Sequence, residues 1–187
     1  MDRKRLEVLI RSYEIKNKGE LAKHLNFYRN LQKIDDAITK ATFAICENGK
    51  RHGHQRRTKS ENMKKVQVKL LENKRTIMRC RNFDDLIEMV KKASVKGFGE
   101  LAIYDTSLRL SAFLDILPDK VFLHAGTLKG AKAINLDTSY GYLQIEQLPK
   151  EFGKLSTYEI EDMLCIYKDR LRECLKDDVQ QEGGNVI

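Results

Sequence analysis

The 187 residues are enough for one sizeable core, or for a core with a helical extension. Hydrophobic content of 41% beside 33% charged residues describes a globular, highly charged chain. No apolar run reaches the roughly 18 residues that would span a bilayer, which excludes a membrane-spanning helix. The start, Met1-Asp2-Arg3-Lys4-Arg5, leads into an amphipathic segment and not into the apolar stretch of a signal peptide. The expectation is a soluble, cytoplasmic protein with no membrane contact.

In chain order, Leu6, Leu9, Ile10 and Tyr13 recur at helical spacing and predict a first short helix. Asn17-Lys18-Gly19 interrupts it. Leu21, Leu25, Tyr28, Leu31, Ile34, Ile38, Ala41 and Ile45 then form one continuous stripe and predict a long second helix, ended by Glu47-Asn48-Gly49. Lys50 to Arg57 holds no apolar residue and reads as an exposed loop. Thr58 and Glu61 have capping-box spacing, so a helix is expected to begin there and to bury Val66, Leu70, Ile77 and Cys80. Asn82 is placed to cap a further helix carrying Phe83, Leu86, Ile87 and Val90.

Val95 to Gly99 reads as a tight connection, with a helix following from Glu100. Pro118 suits a first helical turn. Val121-Phe122-Leu123 is either a helical turn or a small strand, and Leu143-Gln144-Ile145 is a second candidate for extended chain. Pro149 to Leu155 fits a helical turn. Ser156 and Glu159 again have capping-box spacing, ahead of a last helix using Ile160, Leu164, Tyr167, Leu171 and Cys174. The four cysteines, Cys46, Cys80, Cys165 and Cys174, form no Cys-x-x-Cys pair and read as free packing thiols.

Charge divides the chain. Residues 1–82 hold 22 Lys/Arg against 9 Asp/Glu, a net of +13, and residues 83–187 hold 13 against 18, a net of −5. Within the first part, Lys50 to Arg81 carries 12 basic and 2 acidic residues, or +10 over 32 positions. Such density suits a phosphate-binding surface, where each neutralised phosphate releases counterions. The bland alternative is a solvated basic helix that meets an acidic partner, among them the acidic half of a second copy in a homo-oligomer.

The segment from Ala93-Ser94 through Val95-Lys96-Gly97-Phe98-Gly99-Glu100-Leu101 resembles the helix-hairpin-helix DNA-binding superfamily, over about residues 83–114. The resemblance implies that Gly97 and Gly99 allow a close turn, that Phe98 plugs it inward, and that amides opening the second helix face a DNA phosphate. The glycosylases of that superfamily often place a Lys two residues after the second glycine and an Asp about twenty residues later. Leu101 stands at the first place here and Asp119 near the second, which argues against lyase chemistry.

Other residues carry chemistry more loosely. His52-Gly53-His54 with Gln55-Arg56-Arg57 offers two histidines, but no nearby Cys or Asp completes a metal-ligand set. It reads as a cationic loop reaching phosphate. Asp105 and Arg109 have the i,i+4 spacing of a helix ion pair. His124, in a run of apolar and small residues, is either a satisfied core histidine or an acid–base group near Asp105 or Tyr104. Gly126-Thr127-Leu128-Lys129-Gly130 lacks the Gly-Lys-Ser/Thr of a nucleotide loop, and no cofactor is expected.

The sequence therefore predicts an all-α or nearly all-α protein. A basic helical part at 1–82 is followed by a helix-hairpin-helix-like part at 83–176 and a flexible tail at 177–187. The expected function is nucleic-acid binding, DNA before RNA. The binding residues are Arg51, His52, His54, Gln55, Arg56, Arg57, Lys64, Lys65, Lys96, Gly97, Phe98 and Gly99, with no metal. The alternatives are an enzyme acting through Asp105, Arg109 and His124, and an assembly module for an acidic protein.

Overall fold

The computed structural model describes residues 2–175, with backbone only for His54 and Leu175. The tail expected at 177–187 lies outside them. The described chain is mostly helical, with nine α-helices and a single two-stranded ribbon. No helix among the described residues is long and apolar enough to cross a membrane.

The described chain forms two compact units, one from residues 2–19 with 120–175 and the other from residues 20–119. The charge step at 82 falls inside the second unit. Charge is a property of the exposed surface, whereas packing follows the apolar stripes, and here the two do not share a boundary.

In the first unit, helix α1 (Arg3–Lys16) buries Leu6, Leu9, Ile10 and Tyr13, the predicted stripe. Its first turn is capped by Asp2, whose carboxylate accepts from the Arg5 amide at 3.1 Å. Strand β1 (Val121–Phe122) pairs antiparallel with β2 (Tyr142–Leu143), Val121 opposite Leu143. Pro118 precedes this ribbon and starts no helix. Helix α8 (Ala125–Ala133) lies against α9 (Thr157–Ile166). Ser156 and Glu159 open α9 as their spacing predicts, the Ser156 amide donating to the Glu159 carboxylate at 2.8 Å. The expected last helix is shorter than its stripe. It stops at Ile166, and Leu171–Leu175 form a separate 3₁₀ turn. Tyr167, which closes α9, directs its hydroxyl to Ser12 at 3.1 Å and Asn17 at 3.2 Å. The unit's core joins the α1 stripe to Phe152, Ile160, Met163, Leu164 and Leu171.

The second unit corrects the long helix expected over 21–45. It is two helices, α2 (Lys18–Arg29) and α3 (Ile34–Phe43). The amide side chain of Asn30 donates to the Asn26 carbonyl at 2.8 Å, and Leu31 N–H reaches back to Tyr28 at 3.1 Å, so polar side chains and a tightened turn close α2. The helix expected from Thr58 begins later, as α4 (Ser60–Glu72), with Lys59 at the cap and no side-chain cap bond. Thr58 belongs to the preceding turn, its N–H bonded to the Gln55 carbonyl at 3.1 Å. At Asn73 the helical path breaks before a single turn, α5 (Lys74–Ile77). Helix α6 (Phe83–Ala93) is capped by Asn82, which accepts from the Asp85 amide at 2.8 Å. Helix α7 (Glu100–Leu114) packs against α3 and α6, and α4 packs against the same two. The four cysteines form no disulfide; Cys174 is buried and the others are half-buried.

Candidate nucleic-acid interface and buried polar clusters

The segment between α3 and α4 is a hairpin followed by a short 3₁₀ turn. Ala44 ends α3 in the left-handed conformation, φ 55°. Ile45 and Arg51 then bridge antiparallel, Cys46 N–H donates to the Lys50 carbonyl at 2.8 Å, and His52 N–H donates to the Ala44 carbonyl at 2.7 Å. Arg51 is used internally, because its guanidinium donates to the Thr58 carbonyl and to Ser60 Oγ. Arg56, Arg57, Lys59, Lys64 and Lys65 are exposed. Lys65 meets Glu61 at 2.6 Å, an exposed pair that leaves the lysine's charge largely available.

The Lys96–Gly99 turn joins this segment. Asn62, in the first turn of α4, donates its side-chain amide to the Lys96 carbonyl at 3.1 Å. Gly97 has φ +91°, which requires glycine, and a Cβ there would also stand 2.6 Å from the Asn62 amide nitrogen, displacing that side chain. Phe98 is 3% exposed and does plug inward. Gly99 is the N-cap of α7 and supplies no side-chain acceptor for the amides behind it.

Beside the hairpin sits a buried polar cluster. Arg109, 3% exposed, donates through Nε to His24 Nε2 at 3.0 Å, and makes longer contacts of 3.5 Å to the Ala41 carbonyl and to Asp105. The i,i+4 pair read from the sequence is present. Gln55 is 1% exposed although its loop is polar; its amide nitrogen lies 3.5 Å from Asp105. His52 stacks at a tilt on His24, ring centroids 5.3 Å apart. Burial first, then the Arg109 and His52 charges, push the His24 pKa down to about 3, so its ring is neutral at physiological pH. Burial likewise raises Tyr28, whose hydroxyl donates to the Ile45 carbonyl at 2.6 Å.

His124 belongs to the other unit and has partners of its own. It bonds Glu161 on α9, and Thr127 Oγ1 donates to the same Glu161 oxygen at 2.7 Å. All three are buried. His124 is thus a satisfied buried histidine whose carboxylate partner is Glu161.

Folding brings His52, Gln55, Asp105 and Arg109 together, and joins Lys96–Gly99 to the start of α4. It also recruits residues that the sequence did not flag. His24 sits on the α2 stripe one turn before Tyr28, the only local hint that it faces inward. Glu161 is hidden among the acidic residues that open α9. No protein-family model, curated protein or solved structure matches the chain.

Proposed function

We propose that the chain binds nucleic acid, DNA before RNA, by gripping the phosphate backbone with the unit at 20–119. That unit holds 20 Lys/Arg against 13 Asp/Glu, a net of +7, and it contains both features that suit phosphate. The observation that carries the reading is the Asn62–Lys96 hydrogen bond. It sets the first turn of α4, with Lys59 at its cap, beside the turn that leads into the uncapped start of α7. Two sequence features about 34 residues apart thereby become neighbours, as the hydrogen bond itself records. The exposed Arg56, Arg57, Lys59, Lys64, Lys65 and Lys96 supply the electrostatic attraction, and the amides behind Gly99 supply donors for one phosphate. Contacts of this kind position a duplex without reading its sequence.

Gly99→Ala is the test. Nothing lies within 4 Å of the added Cβ, and the backbone there has φ −72°, so the fold tolerates alanine at a cost within about 1 kcal/mol. The methyl group stands where a phosphate would approach the amides. The expected result is native stability with affinity for a random duplex lowered about tenfold, the loss of one charge-assisted hydrogen bond. Unchanged affinity would remove the turn from the interface. Binding to an acidic protein with none to duplex would favour the assembly reading.

A further inference from the structure

We infer that His24, Cys46 and Glu47 form a site for one transition-metal ion of the zinc type. Ligand atoms of the three residues all lie within 4.8 Å of one another. Metal–ligand bonds of about 2.0 to 2.3 Å in a tetrahedron set ligands about 3.3 to 3.8 Å apart, so a closure of roughly 1 Å seats an ion, with the fourth position left to solvent. His52 lies alongside His24, ring centroids 5.3 Å apart, and is not one of the ligands. The hairpin explains the convergence: Cys46 lies on its first arm, next to the Ile45–Arg51 bridge, and Glu47 opens its turn.

The donor set selects the ion. One thiol, one imidazole and one carboxylate suit Zn²⁺ and its neighbours and disfavour Mg²⁺ and Ca²⁺, which want oxygen alone. Charge also closes: thiolate and carboxylate balance a divalent ion, and Asp105 stands beside the Arg109 guanidinium. The Lys23–Glu47 pair at 3.2 Å is an exposed contact that yields to an ion. The opposing force is the Arg109–His24 bond. If Nε2 takes the ion, its lone pair leaves Arg109; if Nδ1 takes it, Nε2 carries the proton and no longer accepts. Loading therefore releases Arg109 toward Asp105 and the Ala41 carbonyl. Zn²⁺ binds the Cys46 thiolate, so loading expels the thiol proton.

The experiment uses the reduced full chain, titrated with Zn²⁺ by calorimetry and with Co²⁺ by absorption. The expected result is one ion per chain and a sulfur-to-cobalt charge-transfer band that Cys46→Ser abolishes and Cys165→Ser retains. One proton leaves per ion bound. His24→Ala weakens Zn²⁺ by more than the about 10- to 100-fold typical of losing an outer-shell partner. In the wild-type chain, Zn²⁺ protects Cys46 from alkylation and leaves Cys80 reactive, a readout that stands even where a variant does not fold. Absence of binding, a band that survives Cys46→Ser in a folded protein, or Cys46 alkylated at the same rate with and without Zn²⁺ overturns the inference.

Discussion

Gly130→Ala lowers stability by about 3 kcal/mol or more, the upper end of what overpacking costs. A Cβ at Gly130 would lie 2.1 Å from the Leu164 carbonyl oxygen and 2.8 Å from its carbon. Those are backbone atoms of α9, so no side-chain rotation relieves the clash, and α8 and α9 have to separate. Gly126 on the same helix makes a useful contrast. Its Cβ would meet Cys165 Sγ at 2.5 Å, a side-chain atom that can swing away, so Gly126→Ala costs less. Gly19, in the first turn of α2, has nothing within 4 Å, and Gly19→Ala raises stability by about 0.5 to 1 kcal/mol through the cost of glycine in a helix. Urea midpoints of the three variants check the order. A Gly130→Ala midpoint equal to wild type would mean that α8 and α9 do not approach so closely.

Acid unfolds the chain earlier than its carboxylates alone require, and His24 is the reason. Its folded pKa is pushed to about 3, against 6.5 in the unfolded chain. Between those values the unfolded state binds a proton that the folded state refuses. Stability therefore rises with pH across this window, by up to about 1.4 kcal/mol per unit, and falls as acid is added. The contribution is complete above about pH 6.5 and is spent by about pH 3. Over the full window it is on the order of 5 kcal/mol. Burial is the largest cause; Arg109 and His52 then oppose a charge on the ring, and Glu47 favours one. His24→Gln removes the titration while keeping a polar side chain near Arg109. The check is the stability difference between pH 7 and pH 4 in wild type and in His24→Gln. The variant is expected to lose markedly less on acidification. Equal losses would place the acid sensitivity elsewhere.

Local signals carried much of the fold. Asn82 and Ser156 cap helices where their spacing said, because a cap is decided by a few consecutive residues. The Gly97 turn was legible for the same reason, and its positive φ confirms the need for glycine at that point. The break between α2 and α3 was not legible. Leu31 and Ile34 keep the helical period across it, and periodicity reports which face is apolar, not whether the backbone continues. The two units were hidden because the chain leaves the first near residue 19 and returns to it near residue 120, a separation no local pattern records.

The buried clusters show the same limit. Arg109 finds His24 across 85 positions and His124 finds Glu161 across 37. Asp105 and Arg109 were visible as a pair because they share one helix turn. The acid–base reading placed His124 near Asp105 or Tyr104, and folding has given His124 and Asp105 separate partners.

The central claim is that the basic unit holds nucleic acid by its phosphates. The most direct measurement is the affinity of the full chain for a random-sequence duplex over a salt series. Each neutralised phosphate contributes a slope of roughly −0.9 in log affinity against log salt. The account predicts binding at low salt with a slope steeper than about −3, made shallower by about one for each cation removed at Arg56, Arg57 or Lys96. No binding at low salt, or an affinity indifferent to salt and to these cations, would contradict it.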